Sequence, residues 1–364
     1  MINYIVGKNL GHLSRCVANL EELKKSDRKK VRVYAYKHSH RWLQKNLKGV
    51  KIRRINKFSY RNKAREFLRG KLLVHDWRGQ VKYIKARRKK RDKCIIIGIY
   101  HSDLALYRGD TFLTKKFKRQ IKDISEKTTD IFFHINLKQP TFIPKLTTLY
   151  VPIPIIARKV TMKPEKVKKK LGLKEHEEFI LVTMGGGIGR YRYKYIYEWY
   201  KKINKLNLPY RIVVVNQFAG KKLRFRKGII RAPLFRNGVD LVNAAKLVIS
   251  KPGMGILTDC ISTGTPLLAL PADTKERKVK NMMLKDVLET DVCLVQRRDT
   301  HKDLERKIKE MIHLEEYIKW KFEQIPQNGA EIMAKSLKLL HKASRKNLSK
   351  VYKKILELTP FKIK

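Results

Sequence analysis

Cysteine is scarce in this chain and badly placed for cross-linking. The four cysteines in 364 residues, Cys16, Cys94, Cys260 and Cys293, are scattered and form no Cys-x-x-Cys pair. That argues against a disulfide framework and a cysteine zinc site, and a reducing, cytoplasmic compartment is expected. No run approaches the roughly 20 consecutive apolar residues that a membrane-spanning helix needs. The opening segment Met1-Ile2-Asn3-Tyr4-Ile5-Val6-Gly7 lacks the basic region and cleavage site of a secretory signal and reads as a strand. Acidic residues are few, 32 against 86 Lys+Arg, giving a formal net charge of +54. Such a surface favours polyanionic surroundings, whether anionic lipid headgroups, nucleic acid or phosphorylated substrates. A chain-wide lysine habit is the plainer explanation of the same number.

Hydrophobic residues make up 43% of the chain, enough for a packed core, and the length suits two ordinary domains. The first half alternates short apolar runs with amphipathic basic stretches. Strands are expected at Tyr4-Ile5-Val6, Val31 to Tyr36, Val50 to Ile55, Leu72-Leu73-Val74, Ile95 to Ile99 and Ile131 to Ile135. The runs at Leu72 and Ile95 are apolar on both faces, as in a buried parallel sheet, and strand–helix alternation implies βαβ crossovers. Val151-Pro152-Ile153-Pro154-Ile155-Ile156 breaks the pattern as a proline-stiffened connector. Alternation resumes at Phe179 to Met184, Arg211 to Val215 and Leu247 to Ile249. The expected plan is an α/β chain with a first domain over 1–155, a linker over 156–176, a second domain over 177–327 and a basic helical extension over 328–364. Basic density peaks at Arg87 to Arg91 and recurs in the helical stretch Ser336 to Leu356.

The most ordered chemistry lies between Lys251 and Pro271. An apolar strand, Leu247-Val248-Ile249-Ser250, meets Lys251-Pro252-Gly253-Met254-Gly255, where glycines allow a sharp turn and close approach to a ligand. A helix beginning near Gly255 would point its unpaired N–H groups and positive dipole end at an anion. Asp259 stands one turn inside it, where a carboxylate can accept hydrogen bonds from sugar hydroxyls. Gly264-Thr265-Pro266 stops the helix, and Leu267 to Leu270 starts another strand. Upstream, Met184-Gly185-Gly186-Gly187-Ile188-Gly189-Arg190 follows a strand and offers bare amides to a pyrophosphate, with Arg190 adding charge.

These motifs resemble the donor site of GT-B glycosyltransferases, most closely family 28, over about residues 179–282. The resemblance implies two Rossmann-like, doubly wound domains facing across a cleft, with a nucleotide-diphosphate sugar, UDP-linked by expectation, against the second. It implies that Asp259 holds the ribose, that Phe235 lies near the base, and that Gly185, Gly186, Gly187, Gly253, Met254 and Gly255 line the diphosphate. Asp273 and Lys275 are further sugar or phosphate contacts. The peptidoglycan-precursor transferases of the family differ at three points: they carry Glu in the slot of Asp259, Ser in that of Gly187, and two glutamines in those of Lys278 and Val279. The last difference argues for another donor sugar.

Gly7-Lys8-Asn9-Leu10-Gly11-His12 follows the first strand and opens its helix, and resembles the family's first glycine loop, which ends in Gly-His. The resemblance implies that His12 contacts or deprotonates the acceptor hydroxyl, a task suited to an imidazole with an ordinary pKa near 6.5. Gly11, His101 and Asp103 are expected on the acceptor side. His75-Asp76, after Leu72-Leu73-Val74, is a second polar pair at a strand end, with structural and functional roles evenly matched. No Asp-x-Asp pair occurs, so metal-independent transfer without a cofactor is expected. The acceptor implied is lipid-linked or a cell-envelope glycan, reached from the inner face of an anionic membrane. A nucleotide-sugar hydrolase or epimerase of the same fold is the alternative. A non-enzymatic nucleic-acid-binding protein would also suit the charge, but no recognisable binding module supports it.

Overall fold

The computed structural model describes residues 1–101, 112–140, 145–185, 192–215 and 224–363. The chain divides into two compact units, Met1–Ala157 with Pro326–Lys364, and Arg158–Ile325. Each is built on one parallel sheet.

The first unit holds β1 (Ile2–Ile5), β2 (Val31–Ala35), β3 (Lys51–Arg54), β4 (Leu72–Asp76), β5 (Ile95–Tyr100), β6 (Ile131–Ile135) and β7 (Leu149–Ile153). They form a seven-stranded sheet in the order β3-β2-β1-β4-β5-β6-β7. Strand β4 is buried along its whole length and β5 over Ile95 to Ile99, as the two-faced apolar runs require. The second unit holds β8 (Phe179–Thr183), β9 (Arg211–Val215), β10 (Ile229–Arg231), β11 (Leu247–Ser250) and β12 (Leu267–Ala269), ordered β10-β9-β8-β11-β12. Both sheets run outward from their first strand and then reverse direction. This is the doubly wound pattern, and its switch point falls between β1 and β4 in one unit and between β8 and β11 in the other.

Register fixes what meets at those switch points. Ile5 of β1 pairs with His75 of β4, so the loop after β1 emerges beside Asp76. Thr183 of β8 pairs with Ser250 of β11, so Gly185 emerges beside Lys251.

Three expectations change. The proline-bearing connector begins as a strand: Leu149–Ile153 is β7, at the sheet edge beside β6. An edge position tolerates Pro152, whose missing N–H faces no further strand. The segment expected as linker carries a helix, Pro164–Leu171, closed by Gly172 in a left-handed backbone at φ +72°. It packs in the second unit, where the Thr161 N–H and hydroxyl donate to Asp240 at 2.7 and 2.8 Å.

The basic C-terminal stretch is two helices, Gly329–Lys342 and Leu348–Leu356, and belongs to the first unit. They are separated by a turn in which the Ser344 N–H and hydroxyl donate to Asn347 Oδ1 at 2.6 and 2.8 Å. Their apolar residues are consumed in packing: Ile332, Met333, Leu337, Leu340 and Ile355 are buried, and the Tyr352 hydroxyl donates to the Tyr150 carbonyl on β7 at 2.7 Å. The amphipathic pattern there is a core pattern. No helix among the described residues is long and apolar enough to cross a membrane.

Candidate functional site

His12 sits in the first turns of the helix Leu10–Glu21, delivered by β1 to the switch point. Its Nδ1 lies 2.7 Å from Asp76 Oδ1, at the carboxyl end of β4. Arg15, one turn further along the helix, donates through Nε to Asp76 Oδ2 at 3.0 Å and through a terminal nitrogen to Oδ1 at 2.9 Å. The Asp76 side chain is wholly buried. Burial alone would raise its pKa, but Arg15 and His12 outweigh that and hold the carboxyl well below the usual range. Asp76 is therefore an acceptor only, and a 2.7 Å contact requires Nδ1 to carry the proton. Arg15 also approaches Nδ1 at 2.9 Å, which is proximity to a shared oxygen and not a second bond. The tautomer is thus set: Nδ1–H toward Asp76, with the lone pair on Nε2. Burial lowers the His12 pKa despite the attraction of Asp76, so the ring is neutral near pH 7. A neutral ring so held can accept a proton at Nε2.

Gly7 has a reason to be glycine. A Cβ there would stand 2.6 Å from the His12 ring, so a side chain would displace the imidazole. Gly11 has open space around it, so no close approach demands glycine there.

His101 follows β5 and stacks on Tyr100, with ring centroids 5.0 Å apart. Tyr100 in turn stacks on Trp77 at 4.0 Å, and Trp77, directly after Asp76, has φ +50°. A left-handed backbone is rare for so bulky a residue. Asp103 lies outside the described residues. His75, its neighbour's equal in the sequence reading, faces inward: burial lowers its pKa to about 3, and its Nδ1 accepts the Arg78 N–H at 3.1 Å. It is a packing histidine, whereas Asp76 is part of the site.

In the second unit, Gly185 has φ +67°, and a Cβ on it would lie 3.0 Å from Lys251 Cε and 3.3 Å from Nζ. Gly186, Gly187 and Arg190 lie outside the described residues. Gly253 is the N-cap of the helix Met254–Thr263 and, as glycine, brings no side chain to cap the first-turn amides. Met254 is buried, and Gly255 is exposed with nothing close by. Asp259 is half-buried on that helix, and burial pushes its carboxyl up to about 7, with Arg158 acting in the opposite direction.

Asp273 is committed to the protein: its carboxylate accepts from Arg277 and from the Lys194 N–H, the latter at 2.8 Å. Its direct effect is to orient Arg277. Lys275 is exposed at the start of the helix Lys275–Leu288. The Phe235 ring is buried, with the Lys170 ammonium 5.8 Å from its centroid. Sequence reasoning passed over two residues, Arg15 and Lys251. Asp76 it named only as half of an evenly weighed polar pair at a strand end, and the β1–β4 register is what brings it to His12. Among the described residues, no three His, Cys, Asp or Glu side chains converge as a metal site would require.

Two doubly wound units with polar groups gathered at both switch points define the fold class of GT-B glycosyltransferases. No protein-family profile and no curated protein matches the sequence. Solved structures do match in fold. A UDP-glucosyltransferase from Polygonum tinctorium capable of glucosylating indoxyl is similar at 11% identity and TM-score 0.62, covering 98% of each chain. The glycotransferase of kitacinnamycin is similar at 10% identity and TM-score 0.61, covering 93% of this chain and 98% of the other. Spinosyn forosaminyltransferase is similar at 9% identity and TM-score 0.62, covering 94% and 99%.

Proposed function

We propose that the protein is a glycosyltransferase that moves a sugar from a nucleotide-diphosphate donor, UDP-linked, to an acceptor hydroxyl. The observation that carries this is the His12–Asp76 pair, which holds a neutral imidazole with its Nε2 lone pair available. In a single displacement the acceptor oxygen bonds to the anomeric carbon as its proton passes to Nε2. The bond from that carbon to the diphosphate oxygen breaks, and the electron pair leaves with the diphosphate. One such in-line step inverts the anomeric configuration. Asp76 steadies the imidazolium that forms. The fold shared with known sugar transferases supports the reading, as do the uncapped amides at Met254 and the half-buried Asp259, which suit the diphosphate and the ribose. The chemistry needs no metal ion or cofactor in this reading, the departing charge being met by amides and cations.

The acceptor we take to be lipid-linked or a cell-envelope glycan, met at the cytoplasmic face of an anionic membrane. The support is electrostatic: Lys89, Lys90, Arg91, Lys335, Lys338, Lys353 and Lys354 are exposed on the first unit. Arg88 is not available, being paired with Asp130.

The test is turnover with UDP-sugars and a lipid-linked or glycan acceptor. His12→Ala is expected to reduce turnover roughly 100-fold or more while nucleotide affinity stays within error. Normal turnover in the variant would reduce His12 to a helix-start residue. Release of free sugar without an acceptor would favour the hydrolase.

A further inference from the structure

We infer that Lys251 is the grip on the donor's diphosphate, a cation stored beneath the glycine turn to meet the charge that develops on the leaving group. The inference rests on the transferase reading and adds a residue that reading did not need.

Lys251 directly follows β11 and is only 9% exposed. Its ammonium makes no hydrogen bond or ion pair with any described residue. With most of the side chain buried and its ammonium bonded to no described residue, an anion at the tip would offset the lost hydration. The charged groups around it lie on the segment from Asp273 to Lys280, and each has other business. Asp273 is taken by Arg277 and the Lys194 N–H, and Glu276 reaches toward Lys280 at 3.9 Å. Arg277 and Lys280 repel Lys251, while Asp273 and Glu276 attract it from a distance.

The backbone is shaped around this side chain. Gly185 leaves room for Cε and Nζ, and Nζ stands 3.5 Å from the position of a Cβ on Gly253, the N-cap of an uncapped ten-residue helix. A buried cation, a helix N-terminus and a left-handed glycine therefore converge at one switch point. Phosphate oxygens are the ligand that uses all three, and a diphosphate offers them on two linked groups. During transfer the anomeric carbon–oxygen bond breaks toward the diphosphate. Lys251 meets the added charge as an ammonium and gives up no proton.

A pH signature follows. Burial, with Arg277 adding repulsion, lowers the Lys251 pKa to about 8. Its charge fades above that value, whereas the phosphates of UDP, ionising near pH 6, are already fully charged. Affinity for the diphosphate should therefore fall between about pH 7 and about pH 9.5, while affinity for uridine should not.

The experiment is calorimetric titration of the full chain with inorganic pyrophosphate, UDP and uridine. It is run on the wild type and Lys251→Met across that pH range. Loss of one charge-assisted contact is expected to weaken pyrophosphate and UDP roughly 10- to 100-fold, with uridine unchanged and the alkaline fall abolished. Methionine keeps most of the length and volume of the buried stem, and the melting temperature of the variant reports whether it is folded. The wild-type ratio of UDP to uridine affinity is a second readout that needs no variant. Equal binding of pyrophosphate and UDP by the two proteins, or a ratio flat with pH, would overturn the role of Lys251 and leave the transferase reading standing. A wild type that binds neither pyrophosphate nor UDP would overturn both.

Discussion

Replacing Asp76 by Asn separates the catalytic claim from mere packing. The wild-type carboxylate accepts three bonds, from His12 Nδ1 at 2.7 Å and from two Arg15 nitrogens at 3.0 and 2.9 Å, and is fully buried. An amide of the same shape has one acceptor and one donor end, so its NH₂ must face either the His12 or the Arg15 donors. If it faces His12, the ring must move its proton to Nε2, and the lone pair that would take the acceptor's proton is lost. Arg15 meanwhile remains buried without a counter-charge, a situation worth about 3–5 kcal/mol of stability. Loss of a correctly oriented general base costs roughly 100- to 10,000-fold in rate. Thermal denaturation and single-turnover release of UDP measure the two effects separately. Because His12 and Asp76 act as one unit, the double variant His12→Ala/Asp76→Asn should be little slower than the slower single variant. Losses that multiply in the double variant would show that the residues act independently. Turnover at the wild-type rate in folded Asp76→Asn would refute the tautomer argument outright.

Gly329→Ala should lower the melting temperature strongly, because a Cβ there would lie 2.2 Å from the Pro154 carbonyl oxygen, and backbone cannot give way as a side chain can. Denaturation should reveal it without change in the intrinsic chemistry of the remaining folded fraction. Asp259→Asn should stabilise the protein at alkaline pH and weaken nucleotide binding. A carboxyl held at about 7 when folded, against an ordinary value near 3.9, keeps the folded state favoured below about pH 4 and loses that advantage as pH rises through 7. The gain on substitution, on the order of 4 kcal/mol at most, should therefore appear above about pH 7 and vanish near pH 4 in pH-resolved melting curves. UDP titration of the same variant should show roughly 10-fold weaker binding, and unchanged affinity would remove Asp259 from the ribose. Co-sedimentation should find the protein with anionic vesicles, not with neutral ones, and salt should release it, since each surface cation contributes about 1 kcal/mol and is screened. Equal recovery in the supernatant with both vesicle types would end the membrane proposal.

Much of the fold was written locally. Runs such as Leu72-Leu73-Val74 and Ile95-Ile96-Ile97 are apolar on both faces and have one comfortable home, a covered parallel strand. Gly253 to Gly264 encodes its own turn, helix and stop, because glycine backbone freedom and proline geometry act over a few residues. His12 was legible for the same reason, standing at a helix start after a strand. The pairing with Asp76 was not, since 64 residues separate the two and only the β1–β4 register closes that gap. Neither was the fate of the C-terminal lysine-rich helices: an amphipathic stripe looks the same whether it meets a sheet or a lipid surface, and packing on β7 decided it. Pro152 read as a chain break because its missing N–H is a local fact, while the vacant edge that tolerates it is a property of the whole sheet. Lys251 carried no sequence signal, one lysine among many. What singles it out is burial with no bond to any described residue, and burial exists only once the strands and glycine turns have closed around it.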